Sequence, residues 1–161
     1  MRSESKIWNR ENFRKQLAPW KEKGDVLVFT NGCFDILHTG HLNYLERARS
    51  LGDRLIIGLN SDDSVRRLKG KPRPINALED RARMLASLMF VDAIIPFHED
   101  TPYDLISDVL PDILVKGGDY VAENIVGADI VTSRGGRVEV LQFVDGFSTT
   151  SIIEKIKNLN E

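Results

Sequence analysis

The stretch LVFTNGCFDILHTGHLNYLERA, residues 27–48, decides the fold. It begins in VLVFT (26–30), a short run that is β-branched and almost wholly apolar, as a strand buried on both faces must be. It then crosses a knot of small and polar residues. Beyond the knot, Leu42, Leu45, Ala48 and Leu51 share one helical face, and Gly52 follows as a stop. A buried strand handing directly to an amphipathic helix is the unit of a parallel sheet, because parallel strands need a crossover between them.

The same unit recurs along the chain. Strands are predicted over 54–60, 91–97, 112–118 and 137–143, and helices over 77–90, 102–110, 122–136 and 148–159. Residues 7–20 read as a short amphipathic helix, with Asn9 as N-cap, Trp8 and Phe13 spaced as a hydrophobic staple, and Pro19 and Gly24 ending it. Residues 61–76, rich in Lys, Arg and Pro, read as a long surface loop. Five strands alternating with helices predict an α/β fold, an open, doubly wound five-stranded parallel sheet with helices on both faces. The 161 residues fit one domain, with residues 1–24 as a helical N-terminal extension.

Composition narrows the function. A net charge of -2 gives no basic field for nucleic acid. The single cysteine excludes an internal disulfide framework and suits a reducing compartment. No apolar run approaches the ~18 residues of a membrane span, and no secretory leader is recognisable. These features predict a cytoplasmic protein with neither nucleic acid nor membrane as partner.

In a doubly wound sheet, ligands bind beyond the carboxyl ends of the strands, where the strand order reverses. The unusual polar residues of this chain fall there: TNGCFDILHTGH, NSDDSVRRLKGKPR, KGGDY and VDGFSTTS each follow a strand. In the first, Gly32 permits close backbone approach. His38 and His41, three apart on a helical turn, share a face, and Gly40 between them leaves room. Two imidazoles beside a helix N-terminus suit hydrogen bonds to a polyphosphate. Two histidines with no third His or Cys nearby do not make a zinc site, and neither a nucleophile elbow nor a lysine-bearing phosphate loop is present.

GCFDILHTGH resembles the HxGH signature of the nucleotidyltransferase superfamily, and FSTTSI (147–152) resembles its second nucleotide motif. The resemblance extends over roughly residues 26–157 and implies a Rossmann-like fold that transfers a nucleotidyl group with release of pyrophosphate. Within the superfamily the chain is most similar to adenylyltransferases of ADP-heptose synthesis, on the segments 28–75, PDILVKGGDY (111–120) and DGFSTTSI. In many bacteria that activity is fused to a sugar kinase domain, so this chain is expected to be a standalone form serving lipopolysaccharide core synthesis.

The resemblance implies ATP and heptose 1-phosphate as substrates, Mg²⁺ as cofactor and, by analogy, a homo-oligomer. It implies catalytic roles for His38, His41, Lys69, Lys71 and Arg81. Nucleotide binding falls to Thr30, Asn31, Gly32, Cys33, Phe34, Gly40, Lys116, Gly118, Asp119, Ser148, Thr149 and Thr150, beside both histidines. Asp35, Asn60, Asp62 and Arg73 are expected on the acceptor side, and no residue is expected to be a dedicated metal ligand. The glycerol phosphate cytidylyltransferases share the architecture but carry an arginine where this chain has Phe143. A cytidylyltransferase for a phosphorylated acceptor is therefore the alternative, and a non-catalytic nucleotide-binding regulator a second.

Overall fold

A computed structural model describes residues 3–143 and 146–159. Five parallel strands form one sheet: β1 (Leu27–Gly32), β2 (Arg54–Asn60), β3 (Ala93–Phe97), β4 (Ile113–Gly117) and β5 (Arg137–Leu141). Their spatial order is β3-β2-β1-β4-β5, so the order reverses between β1 and β4. Among the described residues the α-helices are α1 (Phe13–Lys23), α2 (Thr39–Arg49), α3 (Asp62–Lys69), α4 (Leu78–Ala86), α5 (Tyr103–Val109), α6 (Ala128–Ser133) and α7 (Thr149–Asn158).

The period-two alternation of the strands splits the core into two. Phe29, Ile56, Ile95 and Leu114 face one way and pack with Phe13 and Leu17 of α1, Ile106 of α5 and Val131 of α6. Val28, Ile57, Ile94 and Val115 face the other way and meet Leu45 and Ala48 of α2 and Leu85 of α4. Both faces are dry, which is why the strands read as unbroken apolar runs.

The β1–β4 ladder is short. Its register covers only Val28↔Ile113 and Phe29↔Leu114, whereas β1 and β2 pair along six residues, from Leu27↔Arg54 to Gly32↔Leu59. Past Phe29 the Tyr44 hydroxyl stands between the strands, pairing with Thr30 Oγ1 at 2.7 Å and donating to the Val115 carbonyl at 3.3 Å. A side chain thus takes over where the ladder stops, and the crevice at the switch point opens above it.

Some elements differ from expectation. Residues 61–76 are not all loop: α3 occupies Asp62–Lys69, with Ser61 as its cap accepting from the Ser64 amide at 3.3 Å. The expected helix over 122–136 divides into a 3-10 turn (Ala122–Asn124) and α6, with Gly127 at φ 87 between them. The first helix begins at Phe13, later than Asn9, and Pro19 lies inside it; only Gly24, at φ 78, ends it. The N-terminal segment is part of the body. Ile7 bridges to Ile94 of β3, the Trp8 amide donates to the Ile94 carbonyl at 2.8 Å, and Trp8, Phe13 and Leu17 are buried. Among the described residues no helix is long and apolar enough to cross a membrane.

Candidate active site

A cavity of about 730 Å³ opens at the carboxyl ends of β1, β2 and β4. Asn31, Gly32, Cys33, Phe34, Asp35, His38 and His41 line it from the β1–α2 connection. Asn60, Lys69 and Arg73 line the β2 side, Lys116 the end of β4, and Ser148, Thr149 and Thr150 the start of α7. Four segments far apart in sequence therefore meet around one volume, the size expected of a small-molecule site.

The histidines are its centre. His38 is the extended N-cap of α2, and its carbonyl accepts from the His41 amide at 2.9 Å, so the pair spans one helical turn. Their rings stack, centroids 3.8 Å apart and planes 23° apart. His41 is wedged between His38 and Phe34, whose ring lies 5.2 Å away. Gly40 does not line the cavity but makes the pairing possible: a Cβ there would sit 3.0 Å from His38 Cε1 and Nδ1. The Nδ1 atoms of both histidines are buried without a hydrogen-bond partner. Buried polar atoms are rarely left so.

Burial pushes the His41 pKa down to about 4, with the nearby His38 adding to the shift, and burial lowers that of His38 as well. Both imidazoles are then neutral near pH 7, each with one N–H to donate. The linkage has a definite sign. A histidine whose folded pKa lies below its unfolded value takes up protons preferentially on unfolding. Stability should therefore fall as pH drops from about 6.5 toward about 4, and His41→Asn should flatten that slope. Chemical denaturation between pH 7 and 4.5 checks this; an unchanged slope in the variant would assign the pH dependence to other groups.

Asp35 and Arg81 are engaged by the protein itself. Burial opposes ionisation of Asp35, but the amides of Asn76 and Ile75 and the Arg73 guanidinium outweigh it and hold its carboxyl below the usual range. The Ile75 and Asn76 amides donate to Asp35 Oδ1 at 2.8 and 2.9 Å, and Asn76 Nδ2 donates to the Asp35 carbonyl at 2.6 Å. The carboxylate clasps segment 73–76 onto the β1–α2 connection, leaving no open carboxylate for substrate or metal.

Arg81 departs furthest from the expected phosphate contact. Its side chain is 0% exposed. Nη1 donates to the carbonyls of Cys33 (2.7 Å) and Asn60 (2.8 Å), Nε to that of Asn76 (3.0 Å), and Nη2 to Asp62 Oδ1 (2.8 Å). The guanidinium fork fastens together the ends of β1 and β2, the start of α3 and the entry to α4.

Other expected residues are also redistributed. Thr30 is buried against Tyr44, beneath the cavity and outside its lining. Lys71, Gly118 and Asp119 lie outside the lining, whereas Lys69 and Arg73 lie within it. Lys116 is partly buried, and this desolvation, with the charge of Lys69, lowers its pKa. Its Nζ lies 5.5 Å from the centroid of the Tyr120 ring. Burial pushes the Cys33 thiol up, which disfavours a nucleophilic thiolate. Thr101, Asn124 and Val126 also line the wall, and none carries a motif or periodicity that singles it out in the sequence; Phe147 and Tyr120, which line it too, lie in the segments FSTTSI and PDILVKGGDY.

The cytidylyltransferase-like family model matches residues 29–155, the span from β1 into α7. This chain belongs to the cytidylyltransferase-like family. It is a nucleotidyltransferase domain of the HxGH kind. It is 56% identical over 155 residues to the bifunctional protein HldE of Haemophilus influenzae strain PittGG, covering 96% of this chain and 33% of that one. It is likewise 56% identical over 153 residues to the bifunctional protein HldE of Syntrophotalea carbinolica, covering 95% and 31%. The chain thus spans about a third of the length of these curated relatives. A crystal structure of the lipopolysaccharide core biosynthesis protein from Thermoplasma volcanium superposes with a TM-score of 0.60 at 31% identity, covering 75% of this chain and 98% of that one. The stacked histidines and the start of α7, the two segments that resemble the family's nucleotide motifs, are brought to one cavity by the sheet's reversal of order.

Proposed function

We propose that this domain transfers the adenylyl group of ATP to D-glycero-D-manno-heptose 1-phosphate, giving ADP-heptose and pyrophosphate for lipopolysaccharide core synthesis in the cytoplasm. The observation that carries transfer is the stacked His38–His41 pair in the cavity that Lys69, Arg73 and Lys116 also line. The acceptor is supported by the 56% identity to proteins named HldE and by the Thermoplasma relative's title.

The chemistry suits this site. An oxygen of the sugar phosphate attacks the α-phosphorus of ATP; the new O–P bond forms as the bond to the β-phosphate's bridging oxygen breaks. The nucleophile has a second pKa of about 6 and is already ionised near neutral pH, so no proton need be removed. The protein positions the groups and neutralises charge. Neutral His38 and His41 donate N–H bonds to phosphate oxygens and stabilise the charge growing on the leaving pyrophosphate. Lys69, Arg73 and Lys116 hold the acceptor phosphate and the polyphosphate in register. The ten-residue α7 turns its N-terminus to the cavity, with the Ser151 amide capped by Ser148 Oγ at 3.0 Å, and the Thr149 hydroxyl pins that turn by donating to the Ile36 carbonyl at 3.3 Å.

Among the described residues no group of three or more His, Cys, Asp or Glu is placed to hold a metal ion, and Asp35 and Asp62 are committed to Arg73 and Arg81. In this reading Mg²⁺ would arrive with ATP, phosphate oxygens and water supplying most of its ligands, and would neutralise phosphate charge.

The direct test is pyrophosphate release with Mg²⁺, heptose 1-phosphate and ATP or CTP, with glycerol 3-phosphate as a competing acceptor. Release only with ATP plus the heptose phosphate is the expected result. Release with CTP and glycerol 3-phosphate would overturn the substrate assignment and keep the histidine chemistry. ATP binding with no release from any pair would favour a nucleotide-binding regulator.

Within this reading, Lys69→Ala should raise KM for the sugar phosphate about tenfold or more, since hydrogen bonds to charged groups contribute about 1.5–3 kcal/mol. Lys71→Ala should change KM little, because Lys71 is exposed outside the lining. Equal effects of the two in steady-state kinetics would return the basic segment to a diffuse charge role.

A further inference from the structure

The cavity is asymmetric across β1. Toward β2 its wall carries Asn60, Lys69 and Arg73, with Leu68 the one apolar side chain of α3 among them. Beyond Lys116, on the β4 side, it turns aromatic and apolar, with Tyr120, Ile125, Val126 and Phe143. A nucleotide bound by its phosphates at the histidines must send its base one way and meet its acceptor on the other. The chemistry of the walls says which way.

Phe143 is 50% exposed, a costly state for a phenyl ring, yet it is firmly seated. A Cβ on Gly117 would lie 2.3 Å from Phe143 Cζ and 2.7 Å from Cε1, so the ring rests directly on the backbone at the end of β4. Tyr44, its ring 5.5 Å away and tilted 46°, supports it from beneath. Tyr44 is itself 6% exposed and hydrogen-bonded to Thr30 and Val115, so the support is rigid. The ring is therefore backed by fixed protein at Gly117 and Tyr44, and the half-exposed residue lines the cavity.

We propose that Phe143 is the platform on which the nucleobase of the donor stacks. The phosphates run from there to His38 and His41, and the acceptor lies on the Lys69–Arg73 side. This rests on the nucleotidyl-transfer reading. Stacking on a fixed aromatic face needs no donor or acceptor from the base and is strongest for an extended π-system, so it favours a purine. Gly117 becomes part of the site, because any side chain there would lift the ring off its seat. The position that carries a phosphate-binding arginine in the glycerol phosphate cytidylyltransferases would here serve the base.

Calorimetric titration of the protein with MgATP and, separately, with tripolyphosphate separates the base from the phosphates. Phe143→Ala should weaken ATP about tenfold or more and leave tripolyphosphate within about twofold, while Phe143→Trp should bind ATP at least as well as the parent. The fluorescence of 2-aminopurine riboside triphosphate should be quenched by the parent and not by Phe143→Ala. The proposal is overturned if Phe143→Ala binds ATP like the parent, if it loses ATP and tripolyphosphate equally, or if the parent binds the two alike. Its failure is distinct from failure of the transfer reading. Phe143-dependent ATP binding without pyrophosphate release from any acceptor would keep the platform and overturn the transferase. Release with an ATP KM unaffected by Phe143→Ala would do the reverse.

Discussion

Removing the His41 imidazole in His41→Ala should lower kcat by roughly 10²–10³ while the protein stays folded, the effect of deleting one donor aimed at developing charge. The ring contributes a buried Nδ1 with no partner, and its pKa of about 4 keeps it neutral. Its loss should therefore act on turnover more than on the fold. His38→Ala should have an effect of the same order, because the two rings stack at 3.8 Å and each orients the other. Removing both should then cost little more than removing one, the non-additivity expected of groups that act as a unit. Single-turnover measurement of pyrophosphate formation, with ATP affinity followed in parallel, makes the test. Full turnover in either single variant would take that histidine out of the mechanism. A loss confined to ATP affinity would make the pair a binding device alone.

The largest expected effect on stability belongs to Arg81. Arg81→Met keeps the length of the side chain and removes every donor, stranding the carbonyls of Cys33, Asn60 and Asn76 and the Asp62 carboxylate. Breaking a buried charged network of this kind costs about 3–5 kcal/mol, roughly 10 °C in Tm for a domain of this size. Arg81→Lys should fall between, because an ammonium can keep Asp62 but cannot reach three carbonyls in the plane of a fork. Thermal unfolding of the three proteins decides the matter. A melting temperature unchanged in Arg81→Met, together with lost activity, would mean that the guanidinium serves the ligand after all. Loss of both would fit the clasp, since the cavity's β2 wall hangs from this one side chain.

What was legible in the sequence was local. The handover at residues 26–42 fixes a strand, a turn and a helix because apolar burial on both faces leaves a period that needs no tertiary information. The histidine pair was legible for the same reason: residues three apart at a helix start share a face. α3 was not. DDSVRRLK carries five charges in eight residues, and its claim to be a helix rests on Val65 at 0% exposure and on the Ser61 cap. The break between the 3-10 turn and α6 was hidden too. It depends on Gly127 lying against Ile106, where a Cβ would approach Cδ1 to 2.6 Å.

The residue types alone determined the α/β architecture, the strand ends as the edge where the polar residues gather, and a histidine pair on one helical turn. These follow from hydrophobic periodicity and from spacing within single segments. Only the tertiary structure decided which charged groups face the ligand and which hold the frame. Arg81 and Asp35 read as site residues but are engaged by backbone groups, of which the Cys33 and Asn60 carbonyls lie 48 and 21 residues from Arg81 and the Ile75 and Asn76 amides 40 and 41 from Asp35. Phe143, which reads as a mere departure from a relative's pattern, is seated on Gly117 at the cavity wall. The physical reason is that a side chain's role depends on which partners satisfy it. Where those partners lie across the sheet, spacing along the chain holds no record of them.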